Sequence, residues 1–188
     1  MSATAGALAV IPARGGSKGI PGKNLQAVGG LSLVARSVQA AFASRGVDRV
    51  VVSTDDDAIA GEAQSHGAEV VRRPVAIAGD TASSESALLH ALDTLELQGP
   101  LPSRLVFLQC TSPFTSGAQI DQVLTAFENP EINSAFAVAP WHGFLWRNDG
   151  RGINHDPQHP RQRRQDLEPA FLETGAIYAM STACFRAE

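Results

Sequence analysis

The sequence predicts an α/β protein built on a mostly parallel, Rossmann-like nucleotide-binding sheet with helices on both faces. Short apolar runs alternate along the chain with segments of helical periodicity, which is the pattern of parallel strands joined by crossover helices. Polar residues collect directly after several of the apolar runs. A hydrophobic content of 44% and a net charge of −4 fit a globular domain with a sizeable core.

The apolar runs define the strands, and the amphipathic segments between them define the helices. Strands are predicted at residues 8–12, 49–53, 69–71, 105–109, 135–139 and 176–180. Helices are predicted at residues 33–42, 56–64, 84–97 and 117–128. Ser83 or Ser84 is the expected cap of the third helix. In a sheet of this kind, ligands gather at the carboxyl ends of the strands.

The loop from Arg14 to Asn24 is the strongest functional signal in the chain. It holds the only two lysines of the protein, Lys18 and Lys23, together with four glycines. Glycines let backbone N–H groups turn toward an anion, and a compact ammonium binds phosphate in a way that guanidinium does not reproduce. The loop predicts a polyphosphate site, with an ordinary surface connection as the alternative. It matches neither the Walker pattern, because Ser17 stands at a required glycine, nor the dinucleotide fingerprint, because Pro21 interrupts it.

The segment from 141 to 170 interrupts the alternation of strands and helices. We expect it to be an excursion from a single domain that spans residues 1–188. Its length is unusual for a loop inside a compact domain, and it lacks clean periodicity. Its aromatic residues Trp141, Phe144 and Trp146 predict packing against a second copy of the chain, and therefore a homodimer.

Composition also excludes several classes of protein. The negative net charge argues against a general nucleic-acid binder. There is no apolar stretch of about 18 residues and no basic-then-apolar leader, so the sequence predicts neither a membrane span nor a signal peptide, and the cytoplasm is the expected location. Cys110 and Cys184 are too few for a disulfide framework and are expected to be reduced thiols.

Seven motifs resemble, in the same order, those of the acylneuraminate cytidylyltransferases. They are Ala13–Asn24, Val52–Asp55, Arg73–Pro74, Asp80–Ser84, Leu108–Pro113, Arg163–Asp166 and Gly175–Tyr178. The resemblance implies transfer of CMP from CTP to a sialic-acid-type nonulosonic acid, a nine-carbon 2-keto sugar acid, with release of pyrophosphate and assistance from Mg²⁺. The same reaction on legionaminic, pseudaminic or deaminated neuraminic acid is an alternative. A catalytically weak CTP-binding module is another.

The resemblance also implies roles for individual residues. The expected catalytic cations, which would neutralise the leaving pyrophosphate, are Arg14, Lys18 and Lys23. The implied nucleotide-binding positions are Arg14, Gly15, Gly16, Lys18, Lys23, Asn24, Arg73 and Ser84. Of these, Arg73 and Ser84 would contact the cytosine side, where a guanidinium or hydroxyl can distinguish cytosine from uracil; a solvated turn residue is the alternative for Arg73. The implied sugar-acid positions are Gln109, Arg164, Gln165 and Tyr178.

The metal ligands are not assigned by the sequence. The family carries an Asp-x-Asp pair near its C-terminus, and this sequence reaches Glu188 without such a pair. We therefore expect a truncated form, metal ligands from elsewhere, or weak turnover. Asp55, Asp80 and Asp166 are the carboxylates that remain at matching motif positions, and carboxylates are the usual anchors of Mg²⁺.

Overall fold

A computed structural model describes residues 6–16, 19–160 and 163–187, apart from the side chain of Arg164. The strands are β1 (Ala7–Pro12), β2 (Ala27–Val28), β3 (Leu31–Ser32), β4 (Val47–Thr54), β5 (Glu69–Arg72), β6 (Arg104–Leu108), β7 (Ser134–Trp141) and β8 (Ala170–Ser181). The α-helices are α1 (Leu33–Phe42), α2 (Asp57–Ser65), α3 (Ser84–Glu96), α4 (Gly117–Leu124) and α5 (Thr182–Ala187).

Six of the strands form one sheet in the order β5-β4-β1-β6-β8-β7. The central strand β1 is parallel to both β4 and β6, and β4 is parallel to β5. Only β8 is shown to run antiparallel to its neighbour β6. The predicted fold class, a mostly parallel sheet with helices, is confirmed.

Strand β1 is buried on both faces, which is why it appears in the sequence as a continuous apolar run. Ala9 and Ile11 contribute to one core cluster, while Leu8 and Val10 point to the opposite face and belong to a second cluster. Helices α1, α2 and α4 cover the first face and α3 covers the second, with side chains that include Val38, Ile59, Ile120 and Leu92. The helices therefore cover the sheet on both sides, as predicted.

Several element boundaries differ from those expected. Ser83, not Ser84, caps α3, because its hydroxyl accepts the N–H of Ser86 at 3.1 Å. The α-helix predicted at 117–128 ends at Leu124 and continues as a 3-10 turn. The hairpin of β2 and β3 was not predicted, because each of its strands has only two residues.

The chain divides into two compact units, which we call unit 1 (Met1–Ala137 with Gly175–Glu188) and unit 2 (Val138–Thr174). Unit 2 overlaps the segment 141–170 that the sequence analysis set apart. Within it, the Asn154 side chain links two stretches of chain, since its Oδ1 accepts the N–H of Leu145 and its Nδ2 donates to the carbonyl of Gly143, both at 2.8 Å. None of the helices in the described residues combines the length and apolar character needed to cross a membrane.

Candidate functional site

The carboxyl ends of β1, β5 and β6 border a cavity of about 240 Å³ in unit 1. The sequence-predicted residues that line it are Arg14, Gly16, Lys23, Asn24, Arg73, Ser84 and Gln109. The topology explains why residues so far apart in the chain meet here, since parallel strands end at the same edge of the sheet.

Three cations line this cavity, Arg14, Lys23 and Arg73, and its lining includes no carboxylate. The positive charges come from different places in the fold: Arg14 follows β1, Lys23 begins a 3-10 turn and Arg73 follows β5. An open basic cavity of this kind attracts a polyanion, and fixed cations stabilise it without having to reorganise.

Two hydrogen bonds hold Arg73 in the lining of the cavity. Only 8% of the residue is exposed, and its guanidinium donates from Nε to Ser53 Oγ at 3.2 Å and from Nη2 to the Ser53 carbonyl at 2.6 Å. Burial lowers the pKa of Arg73, the charge of Asp55 opposes that shift, and Arg14 adds to it. Because an arginine stays protonated even so, the cavity has a fixed positive charge at this position.

Arg14 is held at both its side chain and its backbone. Its Nη1 donates to the carbonyl of Gly79 at 2.7 Å and lies 3.3 Å from Asp80 Oδ1. Its own carbonyl accepts a bond from Asn24 Nδ2 at 2.9 Å. The first predicted phosphate-binding cation is therefore oriented by the protein before any ligand arrives.

Lys23 differs from Arg14 because it has no acidic partner within the described residues. It follows Gly22, whose φ of 59° is left-handed and is a conformation that glycine adopts most readily. A lysine ammonium that lines a cavity without a carboxylate partner is available to an anionic ligand.

The amino end of α3 forms another wall, through Ala82, Ser83 and Ser84. The α3 helix has 13 residues, and its first turn leaves backbone N–H groups without intrahelical partners. Ser83 satisfies one of them as the cap, and Ser84 presents an exposed hydroxyl in the following position. This wall supplies hydrogen-bond donors and the positive end of a helix dipole.

The loop after β6 contributes Gln109, Cys110 and Thr111 to the cavity. Gln109 Oε1 accepts a long hydrogen bond from Thr111 Oγ1 at 3.4 Å. Cys110 is only 3% exposed and packs in the core, as expected for a structural thiol; burial raises its pKa to about 11. The thiol is therefore protonated at neutral pH and is a poor nucleophile or metal ligand there.

Tyr178, a predicted sugar-acid residue, lies on β8 beside the cavity wall. Its ring stacks on Phe107, which lines the cavity, with centroids 5.5 Å apart, and it also contacts Phe136 at 6.3 Å. Of the other predicted sugar-acid residues, Gln165 lies in unit 2 and is exposed. Lys18 and the side chain of Arg164 lie outside the described residues.

The described residues do not fit a protein-built Mg²⁺ site. They contain no group of three His, Cys, Asp or Glu side chains that could hold a metal ion. Asp55 Oδ1 accepts the backbone N–H of Gly15 at 3.0 Å, Asp80 pairs with Arg14, and Asp166 pairs with Arg163 in unit 2. Each of the three candidate carboxylates is therefore already bonded to a protein donor.

Sequence reasoning missed several parts of the site. Phe107 was interpreted only as a strand residue, and the bonds of Arg73 to Ser53 and of Arg14 to Gly79 and Asp80 were not expected. Spacing gives no signal for the Arg14 contacts, which join residues 65 and 66 positions apart. The apolar run of β6, which ends just before Gln109, could have suggested that Phe107 lies near the carboxyl end of a strand.

Comparison with known proteins identifies the family of this chain. The family model described as cytidylyltransferase matches residues 8–144. The chain is 34% identical over 182 residues to the N-acylneuraminate cytidylyltransferase of Oncorhynchus mykiss, covering 93% of this chain but 41% of that protein. It is 31% identical over 177 residues to a pseudaminic acid cytidylyltransferase of Campylobacter jejuni, covering 91% of this chain and 76% of that protein.

Solved structures show the same fold. A CMP:2-keto-3-deoxy-manno-octonic acid synthetase complexed with CTP aligns with a TM-score of 0.73 at 20% identity, over 96% of this chain and 76% of the other. A 4-diphosphocytidyl-2C-methyl-D-erythritol synthase from Anaerococcus prevotii aligns with a TM-score of 0.63 at 13% identity, over 98% and 75%. The family match over most of the chain, and the identity with longer cytidylyltransferases, establish that this chain belongs to the cytidylyltransferase family.

Proposed function

We propose that this chain transfers CMP from CTP to a sialic-acid-type nonulosonic acid and releases pyrophosphate. The observation that supports this most directly is the cavity lined by Arg14, Lys23 and Arg73 at the carboxyl ends of the strands, in a chain of the cytidylyltransferase family. In the proposed reaction, the anomeric hydroxyl of the sugar acid attacks the α-phosphorus of CTP. The bond between the α-phosphorus and the oxygen of the leaving pyrophosphate breaks, and the proton of the hydroxyl is lost to solvent or to a base.

The proposed roles of the cations follow from where charge develops. As the bond to pyrophosphate breaks, negative charge accumulates on the leaving group, and Arg14 and Lys23 neutralise it from fixed positions. Lys18 has the same proposed role. Gly15, Gly16 and Asn24 are proposed to bind the nucleotide as parts of this loop. Gly16 and Asn24 line the cavity, and Asn24 Nδ2 donates to the Arg14 carbonyl.

Arg73 and Ser84 are the proposed recognition residues for cytosine. Arg73 uses Nε and Nη2 to bond Ser53, while the guanidinium borders the cavity. A site that bonds the cytosine edge leaves polar atoms unpaired when uracil enters, and that loss is the basis of selectivity.

Mg²⁺ is the proposed cofactor, and we expect it to enter as the complex with CTP. This expectation is supported by the bonds of Asp55 and Asp80 to protein donors, and by the lack of any metal-holding group of three His, Cys, Asp or Glu side chains among the described residues. When bound, the ion would supply charge neutralisation at phosphate oxygens.

The second candidate substrate is pseudaminic acid, because two of the relatives are pseudaminic acid cytidylyltransferases of Campylobacter jejuni. Gln109, with an amide that both donates and accepts, suits the hydroxyl groups of either sugar. Arg164, Gln165 and Tyr178 are proposed as sugar-acid residues from the family resemblance alone, and a basic side chain would hold the carboxylate.

The test is pyrophosphate release from CTP and Mg²⁺ with a panel of sugar acids. We expect turnover with N-acetylneuraminic acid to exceed turnover with pseudaminic, legionaminic and deaminated neuraminic acids. Preference for one of the other acids would replace the first candidate by that one. CTP binding without release for any sugar acid would support a nucleotide-binding module instead.

The proposed partner is a second copy of the chain, contacted through unit 2. Unit 2 exposes large apolar side chains on β7 and β8, among them Val138, Phe171 and Leu172. Homodimer interfaces are more apolar than ordinary surface, so a second copy would cover these groups. The proposed location is the cytoplasm, where free thiols such as Cys110 and Cys184 stay reduced.

Light scattering tests the dimer. We expect twice the monomer mass at tens of micromolar for the unaltered chain, and the monomer mass after Phe171→Asp, because a charge in an apolar interface is left without a partner. Exposed Asp93 in unit 1 offers a control for surface changes, since Asp93→Asn should leave the dimer intact. A monomer in the unaltered chain would contradict the proposal.

A further inference from the structure

One peptide group in the phosphate-binding loop is bonded at both of its polar atoms by side chains. The carbonyl of Arg14 accepts a hydrogen bond from Asn24 Nδ2 at 2.9 Å, and the N–H of Gly15 donates to Asp55 Oδ1 at 3.0 Å. The carbonyl of one residue and the N–H of the next belong to the same planar unit. Asn24 and Asp55 therefore hold opposite edges of the Arg14–Gly15 peptide.

The surroundings of this peptide are rigid. The N–H of Ala13 donates to the Ser53 carbonyl at 2.9 Å, which keeps the chain beside β4 up to the residue before Arg14. On the other side, a Cβ at Gly15 would lie 2.7 Å from Asp56 Oδ2, and Asp56 is itself fixed as the cap of α2 by the N–H of Ile59. The peptide therefore has little room to rotate while these bonds are in place.

The direction of Arg14 depends on this peptide. The peptide immediately follows the Arg14 Cα, so holding its plane holds the ψ angle of Arg14 and with it the path of the backbone that carries the side chain. The guanidinium then reaches Gly79 and Asp80 and lines the cavity. The Gly15 N–H is already used by Asp55 and is not available as a phosphate donor.

We propose that Asp55 and Asn24 are positioning residues that act together on the Arg14–Gly15 peptide and so aim Arg14 at the phosphates of CTP. The inference rests on the proposed function, since it deepens the account of the same site. Asp55 acts through its hydrogen bond to the Gly15 N–H and not as a metal ligand, and Asn24 acts through its hydrogen bond to the Arg14 carbonyl.

Nucleotide binding measured by calorimetry, in EDTA and again with Mg²⁺, tests the proposal. We expect Asp55→Ala and Asn24→Ala each to weaken CTP binding roughly five- to tenfold, the scale of a lost hydrogen bond that orients a charged group. Asp55→Ala, at a residue outside the cavity lining, should bind CMP within about twofold of the unaltered chain, because Arg14 acts on the distal phosphates. A general loss of folding would weaken both nucleotides, so the CTP-to-CMP ratio separates positioning from structure.

Two further variants sharpen the test. Asp55→Asn keeps an oxygen that can accept the Gly15 N–H, so this variant should keep most of the CTP affinity. If Asp55 instead bound the metal through its charge, Asp55→Asn should lose CTP affinity when Mg²⁺ is present. The double variant should bind CTP about as well as the weaker single one, because both changes release the same peptide. Asp57→Ala is the matched control, since that carboxylate lies two residues away with its side chain 93% exposed, and it should leave binding unchanged.

The outcomes distinguish this inference from the proposed function. Asp55→Asn binding as weakly as Asp55→Ala, with a loss seen only when Mg²⁺ is present, would make Asp55 a metal ligand and overturn the inference. Fully additive effects in the double variant, or unchanged affinity in both single variants, would also overturn it while the proposed function stands. Failure of the unaltered chain to bind CTP would remove the proposed function, and the inference with it.

Discussion

Unit 1 and unit 2 differ in how far their apolar side chains are buried. In unit 1, the buried core extends through β1, β4 and β6 and through the helices on both faces, with residues such as Leu105 and Leu92 at 0% exposure. In unit 2, no described residue is buried, and Phe171 and Leu172 on β8 are 65% and 51% exposed.

The difference shows where the buried apolar surface of the described residues lies. Burial of apolar surface is the main favourable contribution to folding, so unit 1 contains the groups that stabilise it, and its cavity lies at the edge of the same sheet. The apolar groups of unit 2 gain little from the chain itself, and the proposed second copy is what would cover them.

The largest expected effect contrasts one leucine from each unit. Leu105→Ala should lower the free energy of unfolding by about 3 kcal/mol, because it leaves a cavity at a fully buried position of β6. Leu172→Ala should change it by less than about 0.5 kcal/mol in dilute monomer, since half of that side chain is already exposed. Urea unfolding followed by circular dichroism measures both. Equal losses would show that unit 2 has a core of its own.

A second prediction concerns the buried thiol of unit 1. Burial raises the pKa of Cys110 to about 11 from its ordinary value of 9.0. The thiol therefore stays protonated in the folded chain while the unfolded chain loses the proton, so its contribution is complete below pH 9 and is lost as the pH rises toward 11. A shift of this size corresponds to about 2–3 kcal/mol.

The measurement compares the unaltered chain with Cys110→Ala by urea unfolding at pH 8 and pH 10.5. The unaltered chain should lose more stability between the two values than the variant, which lacks the titrating group. Cys184→Ala, which removes the exposed thiol of α5, is the matched control. An identical pH dependence in all three proteins would contradict the prediction.

The same contrast explains what could be predicted from the sequence. Strands buried on both faces, such as β1 and β4, leave continuous apolar runs, and those predictions are confirmed within two residues of each boundary. Strand β8 was expected only at 176–180 but begins at Ala170, because its first residues lie in unit 2 and are exposed. A strand without a buried face leaves no periodic signal.

The residues of the candidate site also differ in how well the sequence predicted them. The cations Arg14 and Lys23 were predicted from the composition of their loop after an apolar run, and Arg73 was predicted from the resemblance to the family. The hydrogen-bond partners of these cations were not predicted, because a bond such as that of Arg73 to Ser53 forms only when β4 and β5 lie side by side. Hydrogen bonds made across a sheet become visible only when the register is known.

A third prediction compares the CTP affinity of one variant from each unit. Lys23→Ala should weaken CTP binding by about 2 kcal/mol, roughly thirtyfold, because it removes a cation that lines the cavity. Trp146→Ala in unit 2 should leave the affinity unchanged, since Trp146 packs on His155 within that unit. Calorimetry with CTP measures both. A comparable loss in the Trp146 variant would mean that unit 2 contributes to nucleotide binding.

The smallest expected effect concerns the choice of base. Ser84→Ala removes an exposed hydroxyl from the wall formed by the amino end of α3, while Ser83 keeps the helix capped. We expect the preference for CTP over UTP to fall by about 1 kcal/mol, roughly fivefold, the usual contribution of one hydrogen bond. Gln165→Ala, in unit 2, should leave that preference unchanged and alter only the dependence on the sugar acid. Competition binding with the two nucleotides measures the ratio. If Gln165→Ala changed the ratio and Ser84→Ala did not, base selection would belong to unit 2 and the division of roles between the units would be wrong.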